Sequence, residues 1–100
     1  MGVRIEWTSR AANELTLIWE YVAKDSPSRA THVAQRIVHA IDGLERFPSM
    51  GRMVPEGKRT DLRELIVFNY RVIYRVGAER VSILAIFHGA RQFPDDILGS

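Results

Sequence analysis

The chain has 100 residues, of which 46% are apolar and 26% are charged, and its net charge is +2. These proportions are those of one ordinary globular domain spanning residues 1–100, without room for a second. The absence of cysteine excludes disulfides, thiolate zinc sites and cysteine nucleophiles. The longest apolar run, Ile83–Phe87, is far shorter than the roughly 18 residues of a membrane helix. We therefore expect a soluble, cytoplasmic protein with no membrane partner.

Positive charge is concentrated in the second half of the chain. Residues 52–91 hold eight basic and four acidic side chains, a local charge of +4, whereas residues 1–51 hold six of each. Twelve of the fourteen cations are arginine, whose planar guanidinium suits bidentate binding of carboxylates or phosphates. A GC-rich genome would account for the arginine excess but not for the clustering. The clustering indicates an anionic partner.

A strand and a helix are predicted at the start of the chain. Apolar and charged residues alternate over residues 3–7, which is the two-residue period of a strand with one buried face. Thr8 or Ser9 can then cap a helix whose apolar residues recur every three or four positions. We expect this helix to end near Asp25.

A second helix follows without a linker. Ser26 is a suitable N-cap, and Pro27 fits the first helical position because its missing N–H would have no partner there. Pro48 disfavours helical geometry at Phe47 and should end the helix at that point. A narrow apolar seam along the helix predicts lengthwise packing against the first helix, as an antiparallel hairpin. The seam consists of Ala30, Ala34, Ile37, Ile41 and Leu44.

Three strands are predicted in the second half, after a surface loop over residues 49–61. They are Leu62–Phe68, Tyr70–Val76 and Arg80–His88, and the short joints between them indicate an antiparallel meander. The chain thus predicts an α+β fold with an N-terminal strand, a helix hairpin and a meander, the helices packing on one face of the sheet. Large aromatic side chains should fill the core between the layers. These are Trp7, Trp19, Phe47, Phe68 and Tyr74.

The middle strand of the meander predicts a cationic face. Strand side chains alternate, so Arg71 and Arg75 point away from the apolar side chains that the helices cover. We expect both arginines on an open, concave side of the sheet. His88 and Arg91 lie where the last strand ends, close to the neighbouring strand, and could join them in an anion-binding cluster. In the alternative interpretation, His88 bonds a backbone carbonyl and the arginines pair with carboxylates, Glu64 or Glu79.

No metal or cofactor site is predicted. His32 and His39 are seven residues apart on the second helix, which separates them by roughly 10.5 Å, too far to share a metal ion. They are expected to be solvated surface residues. The sequence also lacks the spaced glycines and following Ser or Thr of a phosphate-binding loop.

Six short motifs occur in a characteristic order along nearly the whole chain. They are Ile5–Thr8, Ile18–Ala23, Phe47–Arg52, Arg63–Leu65, Tyr70–Val76 and His88–Arg91. In this order and at this spacing they resemble the RelE/ParE superfamily of toxins from type II toxin–antitoxin systems. The resemblance implies the fold predicted above.

The resemblance implies one of two activities. RelE-like members are ribosome-dependent mRNA endoribonucleases, whereas ParE-like members poison DNA gyrase. A nuclease needs a base, a cationic clamp on the phosphorane and often an acid. The resemblance would assign Arg71 and Arg91 to the clamp, with His88 as the third catalytic residue. RelE-like nucleases carry a tyrosine soon after the last arginine, where this chain has Phe93-Pro94.

The last-strand ending, with histidine and glycine before the arginine, is closer to the ParE-like pattern, which implies a gyrase-binding protein without catalysis and a role in plasmid stabilisation. The resemblance also implies a cognate antitoxin in a hetero-oligomer. Its acidic, apolar tail would neutralise the +4 region, lay a helix across the hairpin and add a strand to a sheet edge. An inert interaction domain is the third hypothesis. Residues expected to bind the target or the antitoxin are Arg63, Arg71, Arg75, His88 and Arg91.

Overall fold

A five-stranded mixed sheet is the centre of the fold in the computed structural model, which describes residues 2–98. In the sheet the strands have the order β1-β5-β4-β3-β2; β1 is parallel to β5, and the other neighbours are antiparallel. The predicted α+β fold with its meander is confirmed. Two-residue β2 falls within the predicted loop, since so short a strand has no periodicity to detect. The strands are β1 (Arg4–Trp7), β2 (Arg52–Met53), β3 (Leu62–Val67), β4 (Tyr70–Val76) and β5 (Arg80–His88).

Two helices, α1 (Ser9–Ala23) and α2 (Pro27–Asp42), form the predicted hairpin. The side-chain oxygens of Thr8 and Ser26 cap them by accepting hydrogen bonds from backbone N–H groups three residues further on, at 3.1 and 3.2 Å. α2 ends earlier than predicted and continues as a 3₁₀ turn, because Gly43 is a poor helix former. Within residues 2–98, neither helix is long and apolar enough to cross a bilayer.

The helix hairpin covers one face of the sheet, as predicted. Ile37 and Ile41 of α2 pack against Val72 and Tyr74 of β4, and all four side chains are fully buried. Burial of each such side chain stabilises the fold by about 1.5–3 kcal/mol. Packing against the helices fixes the position of β4. It therefore also fixes Arg71 and Arg75, whose side chains alternate with these buried ones along the strand.

The opposite face of the sheet is also covered, which contradicts the expectation of an open side. Val54 and Phe93 pack there against Ile73 and Phe87, together with a short C-terminal helix, α3 (Asp95–Leu98). These residues form a second, smaller core. The covering segments lack regular periodicity, so the sequence pattern did not reveal that they would fold back onto the sheet.

A β-bulge in β5 changes which of its side chains face each core. Leu84 has no partner on β4, because Ile83 pairs with Tyr74 whereas Ala85 pairs with Ile73. The extra residue changes the alternation, so odd-numbered side chains face the helices before the bulge and even-numbered ones after it. Residues 85 and 87 therefore face the second core.

Three of the large aromatic side chains assigned to the core are exposed instead. Tyr74 is buried and Trp7 packs against the main core, as predicted, but Trp19, Phe47 and Phe68 are largely on the surface. The single-sequence pattern does not separate a core aromatic from a surface one. The exposed rings are available to partners.

Candidate functional site

Arg71 is buried and held by two carboxylates rather than facing an open surface. It is 8% exposed. Its Nε donates to Glu64 Oε1 at 2.6 Å, and its terminal nitrogens donate to the two oxygens of Glu56 at 2.7 Å each. The guanidinium also lies over the rings of Phe87 and Phe93, 5.5 and 5.2 Å from their centroids. The predicted open cationic face is therefore wrong at Arg71, because carboxylates and rings enclose the side chain.

The Arg71 ion network joins three parts of the chain. Glu56 lies in the loop after β2 and Glu64 on β3, and Arg52 of β2 also pairs with Glu64. Hydrogen bonding to Glu56 raises the pKa of Arg71 above its usual value, and the same contact lowers the pKa of Glu56. The charges are thus matched within the network, which fastens the loop to the sheet and leaves little free field for a docking anion.

Arg75 and Arg63 lie away from Arg71, so the predicted cluster does not include them. Arg75 is four residues further along β4, a separation of roughly 13 Å at 3.3 Å per residue. Its Nε is buried without a hydrogen-bond partner among the described residues. Arg63 pairs with Tyr74 on the helix-facing side of the sheet, where it donates to the carbonyl oxygen of Gly51 at 2.8 Å.

His88 and Arg91 are exposed at the end of β5, as an accessible site requires. Nδ1 of His88 accepts a hydrogen bond from the Ala90 N–H at 3.1 Å, and its ring meets the Tyr70 ring at 5.7 Å. The alternative in which His88 bonds a backbone carbonyl is therefore wrong about the partner, which is a backbone N–H. Arg91 makes a loose ion pair with Glu14, at 3.9 Å.

The structure brings Arg71 and His88 into one small groove of about 370 Å³. Glu56 also lines this groove and holds the guanidinium there. Sequence reasoning gave Glu56 no role, since a lone carboxylate in a Gly- and Pro-containing loop carries no periodic signal. The presence of four acidic residues within the +4 region was the available hint that some arginines would be internally paired.

A second groove, which we call the α1–β5 groove, has a volume of about 460 Å³ and lies beside His88 and Arg91. β1 pairs with β5 only as far as Ile83, so residues 84–88 have no strand on that side. The N–H of Ile86 instead donates to a carboxylate oxygen of Glu14 at 2.9 Å. The apolar part of the groove is formed by Leu17, Ile18, Tyr21, Tyr70 and Ile86.

In the Phe47–Arg52 motif, the backbone of Gly51 lies very close to the side chain of Tyr74. The N–H of Gly51 donates to the Tyr74 hydroxyl at 2.9 Å, and a Cβ at Gly51 would lie 2.7 Å from that oxygen. Burial raises the pKa of Tyr74. The glycine is therefore needed for packing, and this part of the motif positions β2 rather than a reacting group.

The two helix histidines lie on the exposed face of α2, as expected. His32 contacts the ring of Phe68, with 5.9 Å between centroids, and His39 lies further along the helix. Across residues 2–98, no three His, Asp or Glu side chains approach closely enough to hold a metal ion.

Comparison with known proteins identifies the family. Residues 5–93 match the family described as the ParE toxin of the type II toxin–antitoxin system parDE. The protein Y4kP of Sinorhizobium fredii is 38% identical over 93 residues, which cover 91% of this chain and 93% of that protein. Toxin RelE2 of Caulobacter vibrioides is 37% identical over 89 residues, which cover 88% of this chain and 97% of the toxin.

Solved structures show the same fold. A chain of the chromosomal ParDE toxin–antitoxin system from P. aeruginosa matches with a TM-score of 0.72 and 26% identity, over 86% of this chain and 95% of that chain. A chain of the RelBE2 toxin–antitoxin complex from Mycobacterium tuberculosis matches in fold, with a TM-score of 0.62 and 20% identity, over 88% and 99% of the two chains. With the family match spanning residues 5–93, the chain belongs to the ParE toxin family, within the RelE/ParE superfamily of type II toxin–antitoxin toxins.

Proposed function

We propose that this toxin is a ParE-like inhibitor of DNA gyrase that acts by binding, without bond chemistry of its own. The observation that carries the proposal is the state of Arg71. In a RelE-like nuclease this arginine would clamp the reacting phosphate, but here two carboxylates and two aromatic rings already occupy its guanidinium. A phosphate could reach it only by displacing Glu56 and exposing the buried Glu64, which is energetically costly.

Phe93 supports the same proposal. It stands where RelE-like nucleases have a tyrosine, and its ring packs edge-on against Phe87 in the second core, 5.8 Å between centroids. It has no hydroxyl to exchange a proton. Of the residues that the resemblance would assign to catalysis, only His88 and Arg91 are exposed. That pair lacks the enclosed clamp needed to stabilise a phosphorane.

We further propose that a cognate antitoxin binds the α1–β5 groove. Leu17 and Tyr21 present exposed apolar surface there, and Arg91 supplies positive charge. The unpaired edge of residues 84–88 can accept an added strand, for which the Glu14 carboxylate now substitutes at Ile86. An acidic, apolar segment would satisfy these features together in a hetero-oligomer. The related solved structures are a ParDE toxin–antitoxin system and a RelBE2 toxin–antitoxin complex, which supports such a partner.

The direct test of the gyrase proposal uses purified gyrase, ATP and supercoiled plasmid. With the toxin added, we expect linear DNA that is released from gyrase only by detergent and protease. Induction of the toxin without its antitoxin should also activate the DNA-damage response in the cytoplasm, where gyrase acts. Cells that stop translating first, with no trapped gyrase, would contradict the proposal.

The second candidate is a RelE-like mRNA endoribonuclease, which is favoured by the 37% identity to the protein named Toxin RelE2. Primer extension on translated mRNA would then show cuts that disappear in Arg71→Ala and Arg91→Ala. Cuts that persist in both variants would remove these residues from the clamp. An inert interaction domain would be harmless when overproduced without antitoxin.

A further inference from the structure

A row of basic side chains runs along the exposed face of α2. Arg29, His32, Arg36 and His39 follow one another at steps of three and four residues, so they share one face of the helix. Arg29 and Arg36 are roughly 10.5 Å apart along the axis. Within residues 2–98, neither arginine forms an ion pair with a carboxylate. These charges are therefore available to a ligand, unlike that of Arg71.

Phe68 lies against this row, at the tip of the turn between β3 and β4. Its ring is 49% exposed, 5.9 Å from the His32 ring and 5.5 Å from the guanidinium of Arg36. Its φ is +53°, the one positive value at a residue other than glycine in the described chain. Bulky side chains rarely adopt this conformation, and where it persists the strain is often part of a functional site.

A groove of about 800 Å³ separates this turn from the end of the helix hairpin. Its walls combine aromatic rings with basic side chains, and Asp25 is the acidic residue among those that line it. Lys24, like the two arginines of α2, has no ion pair within residues 2–98. The aromatic and basic residues lining the groove include Tyr21, Lys24, Arg29, His32, Phe68 and Tyr70.

We propose that this surface, formed by the basic row of α2 and the adjoining groove, binds single-stranded nucleic acid. A row of unpaired cations can follow a phosphate backbone, and exposed rings such as Phe68 provide a face on which any base can stack. A duplex would leave these rings unused because its bases are already stacked, and a peptide of acidic residues alone would gain only from the cations. The inference goes beyond gyrase inhibition, and it uses neither the Arg71 network nor Arg91.

The test is fluorescence anisotropy of the full chain with a fluorescein-labelled dodecamer of thymidine, titrated over a range of salt. The logarithm of affinity should fall with the logarithm of salt concentration by about 0.7 per phosphate neutralised. The double variant Arg29→Gln/Arg36→Gln should reduce this slope by about 1.4. The matched control Arg46→Gln/Lys58→Gln removes the same charge elsewhere and should leave the slope unchanged.

Substitution of Phe68 tests the stacking. Phe68→Leu should weaken binding roughly five- to hundredfold, whereas Phe68→Tyr, which keeps the ring, should bind as the parent does. Thermal melting by circular dichroism confirms that each variant is folded. Absence of binding to the dodecamer would overturn the proposal. Equal binding of an abasic dodecamer, or of polyaspartate, would also overturn it by showing that the surface holds any polyanion. Gyrase is absent from the assay, so its outcome is separate from that of the proposed function.

Discussion

Replacement of Arg71 by methionine tests whether this arginine is structural. Methionine keeps an apolar stem between Phe87 and Phe93 but removes the guanidinium, so the fully buried Glu64 side chain keeps only Arg52 as its ionic partner. Removal of one partner from a buried ion pair costs about 3–5 kcal/mol. Because one partner remains, we expect about 3 kcal/mol, the lower end of that range. For a domain of this size, the corresponding decrease in Tm is roughly 12–24 °C.

The assay is urea denaturation of the full chain at neutral pH, followed by tryptophan fluorescence. The double variant Arg71→Met/Glu64→Leu provides the decisive comparison, because apolar replacement of both members of a buried pair is often neutral or stabilising. We therefore expect the double variant to be more stable than Arg71→Met. A loss below about 0.5 kcal/mol in the single variant would place Arg71 among ordinary surface residues and refute the structural role.

The double variant also separates the proposed activities. If Arg71 only holds the loop to the sheet, the folded double variant should remain toxic in cells that lack the antitoxin. Loss of toxicity in a double variant that melts at the parental temperature would mean that the guanidinium acts on the target. The phosphate clamp of a nuclease would then be supported.

Three further changes have defined outcomes. Gly51→Ala places a Cβ 2.7 Å from the Tyr74 hydroxyl and should lower Tm by several degrees. The control Gly43→Ala, whose Cβ would lie 3.6 Å from its nearest neighbour, should leave Tm unchanged. Equal effects of the two changes would refute the need for glycine at position 51. Since the folded pKa of Glu56 lies below its ordinary 4.5, its ion pair is intact above that pH and is lost as the pH falls through the lower value. Glu56→Gln should therefore flatten the decline of Tm as the pH falls below about 4.5, and an unchanged acid slope would contradict this origin. Leu17→Asp should weaken antitoxin binding more than tenfold, as measured by calorimetry. The control Phe47→Asp should not, because Phe47 is equally exposed, at 62%, but lies outside the α1–β5 groove. Equal losses would exclude the α1–β5 groove as the antitoxin site.

Local signals were sufficient for the main layer of the fold. The side chains of Thr8 and Ser26 could be predicted as caps because capping depends on residues only three positions apart. Alternation likewise predicted which face of β4 the helices cover. The second core depends on contacts between β4 and segments such as Val54 and Phe93, which are distant in the sequence and irregular in pattern. The sequence of such segments has no hydrophobic periodicity that would show that they cover the sheet.

Arg71 shows why alternation alone misplaced the candidate site. The two-residue period correctly predicts that its side chain leaves the helix-facing side of the sheet. It does not predict whether that second side is open, because exposure depends on what folds over it. Glu56 and Glu64 are 15 and 7 residues away in the sequence. In the alternative interpretation the arginines pair with carboxylates, and Glu64 was correctly identified there as one of them. The bidentate contact with Glu56 could not be predicted, because it depends on the path of the loop after β2.

Local net charge was a poor guide to free positive charge in this chain. Five of the eight cations in residues 52–91 are paired with carboxylates, and two of these carboxylates, Glu6 and Glu14, belong to the first half of the chain, so most of this positive charge is not free. The paired cations are Arg52, Arg59, Arg71, Arg80 and Arg91. The balanced first half of the chain instead leaves Arg29 and Arg36 without carboxylate partners on one exposed helix face, as far as residues 2–98 are described. The unpaired charges of Arg29 and Arg36 should therefore attract a polyanion more strongly than the ion-paired charges of Arg71 and Arg91, because the field of an unpaired charge falls off less steeply with distance than that of an ion pair.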